Sequence, residues 1–146
     1  PGTSAVAGRY EIEVLELAKA ARTNSDAFAT SDTVKGGTLT FTVQGTTYDP
    51  VTIADGSSLS AVAQAIKDAG IPVNVSVLND GTNNYLSITA RDTGYPIGGA
   101  ASQGLSITEN LNGAGGTKAL NLPANTVNGE NAQVKVNGIT FTRKSN

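Results

Sequence analysis

The feature that most constrains the fold is the stretch of residues 37–89, in which apolar and polar residues alternate on both sides of one short helical segment. Period-two alternation is typical of strands with one buried face. The apolar positions are Leu39, Phe41, Val43, Val51, Ile53, Val73, Val75, Val77, Leu86 and Ile88. We therefore expect two strands, a helix and two further strands, with these side chains facing a common core.

A helix is predicted over residues 58–69. Ser57 and Ser58 both offer a side-chain oxygen for the N-cap, and Gly70, followed by Pro72, ends the helical pattern. One apolar stripe runs along the segment and consists of Leu59, Val62, Ala63 and Ile66. At about three turns, the helix is too short to be stable alone in water, so this stripe should pack against the strands.

Residues 9–20 carry two competing patterns. Every second residue from Tyr10 to Val14 is apolar, as in a half-buried strand, whereas the later Leu, Ala and Lys residues favour a helix. We expect a strand to about Leu17. The phase of the alternation changes between Val14 and Leu15, which predicts a bulge at that point.

The C-terminal residues 131–143 predict a second β unit. Two alternating arms flank Asn137 and Gly138, a pair that suits the positive φ angles of a type I′ turn. The predicted fold class is mainly β with one short helix (α+β), divided into two small β-rich domains with the inner one inserted into the outer. The outer domain is predicted to comprise residues 1–35 and 109–146, and the inner β-β-α-β-β domain residues 36–108.

Three connections are predicted to lack strands. Residues 24–37 are polar and include Gly36 and Gly37, which makes this segment a plausible domain boundary. Residues 91–104 are expected to form a loop. Residues 112–116 contain three glycines and are expected to be mobile.

The residue types present exclude several classes of function. The chain of 146 residues has no Cys or His, which excludes zinc fingers, haem ligands and nucleophiles that need a thiol or an imidazole. The 10 Lys and Arg residues are scattered and the net charge is −2, so nucleic acid binding is not expected. No stretch approaches the roughly 20 apolar residues of a membrane-spanning helix.

No catalytic, cofactor-binding or metal site is predicted. Three carboxylates in the first strand occupy polar positions and are interpreted as a solvated strand face. They are Glu11, Glu13 and Glu16. We therefore expect a protein that is not an enzyme and that works without a cofactor.

The candidate binding residues all lie in loops, because exposed loops on a rigid scaffold often carry binding. They are Asn79, Asp80, Asn83, Asn84 and Tyr95. Oxygen atoms of residues 79–84 could in principle ligate calcium, but one carboxylate without a closing Glu does not fit an EF-hand loop. An ordinary solvated turn is the simpler interpretation of these residues.

Four motifs occur in a fixed order along the chain. Residues 8–20 read G-R-Y-E-I-E-V-L-E-L-A-K-A, residues 57–69 read S-S-L-S-A-V-A-Q-A-I-K-D-A, residues 73–89 form a hairpin pattern, and residues 131–138 read N-A-Q-V-K-V-N-G. Together they resemble the head region of the bacterial flagellar filament cap family, known as hook-associated protein 2. The second motif is similar to the flagellin IN repeat, with Lys67 in place of the usual Asn.

The resemblance implies a secreted structural protein of the bacterial flagellum. A cap of this family forms a ring at the filament tip and promotes ordered flagellin polymerisation, which implies self-association, contact with flagellin and an extracellular location. The helical legs of the family have no counterpart in this sequence. We expect the chain alone to be monomeric in dilute solution.

An adhesin-like module that recognises host mucin or glycan is the alternative function. A sugar site needs an aromatic platform beside amides and carboxylates. The aromatic candidates are Tyr48, Tyr85 and Tyr95, which are not clustered in the sequence.

Overall fold

The alternating segments fold as strands in the computed structural model, which describes residues 8–146. That part of the chain contains ten strands and one α-helix. Their bounds are β1 (Ile12–Glu16), β2 (Ala20–Asn24), β3 (Gly37–Val43), β4 (Thr46–Thr47), β5 (Val51–Ile53), α1 (Leu59–Asp68), β6 (Val73–Asn79), β7 (Asn84–Thr93), β8 (Leu105–Leu111), β9 (Ala132–Val136) and β10 (Ile139–Arg143). Two short 3₁₀ helices span Ala101–Gln103 and Pro123–Asn125.

The strands form three antiparallel sheets. The order is β1-β9-β10 in the first sheet and β2-β7-β6 in the second. In the third sheet β3 is central, with β8 paired along its whole length and the short strands β4 and β5 on the other edge. The prediction of a mainly β fold with one short helix is confirmed.

The helix begins and ends as its sequence predicts. The Ser58 hydroxyl oxygen accepts a hydrogen bond from the Ala61 amide at 3.1 Å, so Ser58 is the N-cap. Ser57 instead donates from its hydroxyl to the Ala54 carbonyl. Gly70 follows the helix with a φ of +71°, a left-handed conformation that glycine adopts without strain. The buried residues of the helix are those of the predicted stripe, Leu59, Val62, Ala63 and Ile66.

One hydrophobic core lies between the helix and the second and third sheets. All the predicted inner positions are buried in it except Val77, which is 37% exposed. Val77 was expected to be buried, but it borders an open recess at the start of α1 beside Ser58 and Leu59. Residues from other parts of the chain complete the core. They are Ala21, Phe28, Val34, Leu111, Leu120 and Leu122, together with Leu105 and Ile107 of β8.

The prediction for the first strand is partly wrong. The bulge occurs as expected, because the register with β9 shifts between Val14 and Glu16. All five residues of β1 are exposed, however, whereas a half-buried strand was expected. None of the apolar side chains of β1 belongs to the core cluster of the described residues.

Strand β2 and the end of β7 were not predicted. Residues 21–23 had no assigned structure, yet Ala20–Asn24 pairs with β7 and buries Ala21 and Thr23. β7 continues to Thr93, inside the segment expected to be a loop, because its last residue pairs with Ala20. In both places tertiary pairing overrides a weak local propensity.

The C-terminal hairpin matches its prediction. Asn137 and Gly138 have φ angles of 48° and 83°, and Ile139 pairs with Val136 directly across the turn. These are the two positive φ angles of a type I′ turn. Asn137 also contacts the residue before β1, since its side-chain oxygen accepts from the Glu11 amide at 2.9 Å.

The predicted domain boundaries stay predictions. β2, from the predicted outer domain, pairs with β7, from the predicted inner domain. The core likewise contains Phe28 and Leu120 beside the side chains of residues 36–108. Among the described residues, no helix is both long and apolar enough to cross a bilayer.

Replacing Ser58 by Ala should destabilise the protein by about 1 kcal/mol, because the Ala61 amide loses its capping acceptor. The matched control is Ser60→Ala, an exposed position inside the helix, which should change stability by less than about 0.5 kcal/mol. Urea unfolding followed by circular dichroism measures both. Equal stability of the two variants would show that the cap does not contribute.

Candidate functional site

The predicted binding loop joins β6 to β7. The two strands stay in register to the end, where Leu78 faces Tyr85 and Asn79 faces Asn84. We call residues 79–84 the tip loop. It stands at the end of the long β6–β7 hairpin, and all six of its residues are exposed or half-buried.

Side chains of the tip loop mostly bind the loop itself. One Asp80 carboxylate oxygen accepts from the amides of Thr82 at 2.8 Å and Asn83 at 2.7 Å. The Asn79 side chain accepts from the Gly81 amide at 2.7 Å and donates to the Asn84 side chain at 2.8 Å. Such contacts between an Asx side chain and nearby amides are the usual chemistry of a tight turn.

Tyr85 joins the tip loop through its hydroxyl, which donates to the second Asp80 oxygen at 3.1 Å. The hydrogen bonds from the Asn83 and Thr82 amides, with that from Tyr85, hold the pKa of Asp80 below its usual value. The same bond to Asp80 raises the pKa of Tyr85. The phenol ring and Leu78 line a shallow recess of about 460 Å³ beside Asn24, Asn79 and Asp80.

Tyr95 does not belong to this site. It follows β7 at the end opposite to Asn84, and ten strand residues separate the two ends by about 30 Å. Its amide donates to the side chain of Asn131 at 2.9 Å, which ties the β7–β8 connection to the segment before β9. Four of the five candidate residues therefore lie in the tip loop, and Tyr95 lies in a separate connection.

The three candidate tyrosines do not form a common platform. Tyr48 is half-buried and packs against the hydrophobic core, Tyr85 lies at the tip loop and Tyr95 at the far end of β7. Among residues 8–146, no group of three or more acidic side chains is arranged to hold a metal ion.

Sequence reasoning missed a second loop site, organised by Asp55. Its carboxylate accepts from the Gly36 amide at 2.8 Å, from the Gly116 amide at 2.9 Å and from the Gly115 amide. These bonds, that to Gly36 first, lower the pKa of Asp55. The segment of residues 112–116, expected to be mobile, is thus fastened to the turn before α1. We call this contact the Asp55 clamp.

The glycines around Asp55 have a steric reason. A Cβ at Gly116 would lie 2.3 Å from the Val34 carbonyl oxygen, and one at Gly36 would lie 2.7 Å from the Asp55 amide nitrogen. Backbone atoms cannot move aside cheaply at those distances. The only sequence signal was the glycine content, which does not reveal the partner carboxylate.

Glu109 fastens the next part of the same connection. Its carboxylate oxygens accept from the amides of Leu120, Asn121 and Leu122, all at 2.8 Å. Asn121 has a φ of 62°, which turns the three successive amides towards one acceptor. Leu120 and Leu122 are fully buried as a result.

The chain matches known flagellar sequences over nearly its full length. Residues 38–92 match the family described as the flagellin hook IN motif. The flagellar hook-associated protein 2 of Escherichia coli K12 and that of E. coli O157:H7 are each 34% identical to it over 152 residues. These alignments cover 98% of this chain and 32% of each relative, so the chain spans about a third of the curated relatives it matches.

Solved structures with similar folds carry related descriptions. The D2-D3 domains of the flagellar cap protein FliD from E. coli have a TM-score of 0.66 and 26% identity, over 99% of this chain and 78% of that one. FliD from Pseudomonas aeruginosa has a TM-score of 0.77 over 99% of this chain and 69% of that one. At 23% identity, the second likeness concerns the fold alone.

These comparisons do not support the adhesin alternative. The matched relatives and structures are described as hook-associated or cap proteins of flagella. The surroundings of the tyrosines do not favour a sugar platform either.

Replacing Asp55 by Asn should release residues 113–116, because an amide offers one acceptor oxygen where the carboxylate offers two. Backbone hydrogen exchange at Gly115 and Gly116 should accelerate by about tenfold or more. Asp49→Asn, an exposed position with the same change of charge, is the control. Unchanged exchange in Asp55→Asn would contradict the clamp.

Lowering the pH should release residues 113–116, as Asp55→Asn is expected to do. Since the folded-state pKa of Asp55 is lowered, its contribution is present above the unfolded-state pKa and is lost as the pH falls through the folded-state pKa.

Replacing Tyr85 by Phe should raise the pKa of Asp80 towards its usual value, because the carboxylate loses the hydroxyl donor. A carbon-detected NMR titration of the Asp80 carboxyl group measures the change. Tyr95→Phe is the control, since Tyr95 lies at the other end of β7. An Asp80 pKa that is the same in Tyr85→Phe and in the unmodified chain would exclude the proposed bond.

Proposed function

We propose that the chain belongs to the flagellar hook-associated protein 2 family and forms part of the head of the cap at the tip of the bacterial flagellar filament. In this proposal the protein is structural and has no catalytic step. It acts through its shape and through contacts with neighbouring subunits.

The observation that carries this proposal is the extent of the match. An alignment at 34% identity runs through 98% of the chain, with the flagellin hook IN motif at residues 38–92. All three sheets lie inside the aligned region. The likeness is therefore not limited to a single repeated motif.

The physical properties of the head suit a rigid part. Its long connection between β8 and β9 is fastened to the core by the Asp55 clamp and by Glu109. Charged residues make up only 15% of the sequence, and many strand surfaces carry threonine hydroxyls. A rigid plate over the growing end would keep each exported flagellin subunit in place while it folds and joins the filament.

The proposed partners are further copies of the same protein, in a ring, and flagellin below them. The proposed place is outside the cell, at the filament tip. The chain of 146 residues alone should be monomeric in dilute solution, because the family's helical legs, which we expect to carry much of the assembly energy, are not part of it. Sedimentation velocity over a range of concentrations tests this last point.

The division into domains is also a proposal. The sheet β1-β9-β10 supports an outer part, residues 1–35 and 109–146, since its strands come from both ends of the chain. The strands from β3 to β8 and helix α1 support an inserted part at about residues 36–108. β2, Phe28, Leu120 and Leu122 come from the outer segments and complete the core of the inserted part.

The direct test supplies the full-length parent protein to motile bacteria that lack their own cap protein. We expect filaments to grow, because the cap would retain exported flagellin at the growing end. Electron microscopy counts the filaments, and the flagellin released into the medium measures the subunits that escape. Normal export of the parent without any filament growth would contradict the proposed function.

A deletion variant of the parent tests whether the part of the chain around the hydrophobic core is needed to retain flagellin. The shared core should be removed whole, as residues 18–130, with a flexible linker joining β1 to β9. A deletion of residues 36–108 alone would leave Phe28, Leu120 and Leu122 without their neighbours. We expect the variant to be exported but to leave more flagellin in the medium than the intact parent.

A further inference from the structure

One face of the sheet β1-β9-β10 carries six neighbouring apolar side chains, with Arg143 at its edge opposite Ala132. In its register Ile12 lies opposite Val136 and Val14 opposite Val134, while on the other side Ile139 and Phe141 face the same two valines. Opposite residues in an antiparallel pair project to the same face. We call these six side chains the bare face. They are Ile12, Val14, Val134, Val136, Ile139 and Phe141.

The bare face does not contribute to the hydrophobic core of the described residues. Ile12 is 66% exposed, Val14 58%, Ile139 62% and Phe141 40%. Val134 and Val136, on the middle strand, are half-buried. Single exposed apolar residues are common, but here four exposed and two half-buried apolar side chains lie side by side on one face of a sheet.

The other face of the sheet is polar. Glu13 pairs with Lys135, and Thr140 pairs with Lys135 from the other side. A sheet with one apolar and one polar face is half of a two-layer structure and must bury its apolar face against another element.

The bulge in β1 extends the bare face. Without it, Leu17 would fall on the polar side, because side chains alternate with a period of two. The shift between Val14 and Glu16 moves Leu17 to the side of Val14, where it is 58% exposed. A bulge that adds an apolar side chain to this face stabilises the protein only if the face is covered.

We propose that the bare face is covered by polypeptide of the parent protein that lies outside residues 1–146, packed on it as the second layer of the same head domain. The structural match with the E. coli D2-D3 domains includes 99% of this chain but only 78% of that structure, so about a fifth of that structure has no counterpart here. The inference rests on the proposed family membership and not on the cap function.

A second copy of the chain fits the bare face less well. Its exposed side chains offer on the order of 400 Å² on each copy, about half of what each partner buries in a standard stable interface. Two separate chains would also lose translational and rotational freedom on docking. A segment of the same polypeptide is already held nearby at high effective concentration, so a small face is sufficient.

Isolated chains of 146 residues could then associate through the uncovered bare face. Contacts through the bare face would report a missing layer and not the ring of the cap. Ring contacts must then lie on other surfaces of the head.

The test uses single cysteines in the full-length parent, with any cysteine outside residues 1–146 replaced by serine. The chain itself has no cysteine, so each introduced thiol in it is unique. Ile139→Cys and Val14→Cys probe the bare face on two strands. Thr140→Cys, on the same strand as Ile139 and on the opposite face, is the matched control.

The measured quantity is the rate of thiol labelling in the native parent relative to the urea-unfolded parent. We expect labelling at residues 14 and 139 to slow by about tenfold or more on folding, and labelling at residue 140 to change little. This protection should be independent of protein concentration. Filament growth plays no part in the readout, so the outcome is separate from that of the cap experiment.

Three results would overturn the inference. Fast labelling of both bare-face cysteines in the folded parent, or protection of residue 140 as strong as theirs, would show that the apolar face is not selectively covered. Protection that disappears on dilution would identify a second copy as the occupant.

Discussion

The packing of one helix against two separate sheets holds this protein together. Helix α1 contacts β5 in the third sheet and β6 and β7 in the second, and Val62 and Ile66 are almost completely buried between them. Each buried aliphatic side chain of this size contributes roughly 1.5–3 kcal/mol. The helix is too short to form alone, and the β6–β7 hairpin needs its cover, so each element depends on the other. The core around them then determines where the loops can be anchored.

Carboxylates turn the long connections into fixed structure. Asp55 binds amides of residues 36, 115 and 116, and Glu109 binds three successive amides of residues 120–122. A carboxylate has enough lone pairs to accept from several backbone amides at once. A mostly irregular segment does not supply acceptors for all of its own amides, so the carboxylate satisfies them. These contacts place Leu120 and Leu122 in the core and fasten the connection between β8 and β9, which suits the rigid part that the proposed function requires.

Local patterns predicted much of this fold, and contacts distant in sequence explain what they missed. The helix, its cap at Ser58 and the turn at Asn137 depend on neighbouring residues, so their signals are visible in sequence. Gly115 reaches Asp55 across 60 positions, and no local pattern reveals such a pair. The tip loop was predicted as a turn because its Asx contacts are local. The separation of Tyr95 from the tip loop depends on β7, which is longer than the strand pattern ending at Thr89 indicated.

In the proposed function the chain is a head segment of a filament cap, and further polypeptide covers the apolar face of its sheet β1-β9-β10. The most direct measurement is the position of the parent protein on growing filaments. Asp49, which is exposed in the segment between β4 and β5, can be replaced by cysteine and labelled with gold for electron microscopy. The account predicts label at the distal end of each filament and nowhere else. Label along the shaft, at the filament base or on the cell body would contradict it.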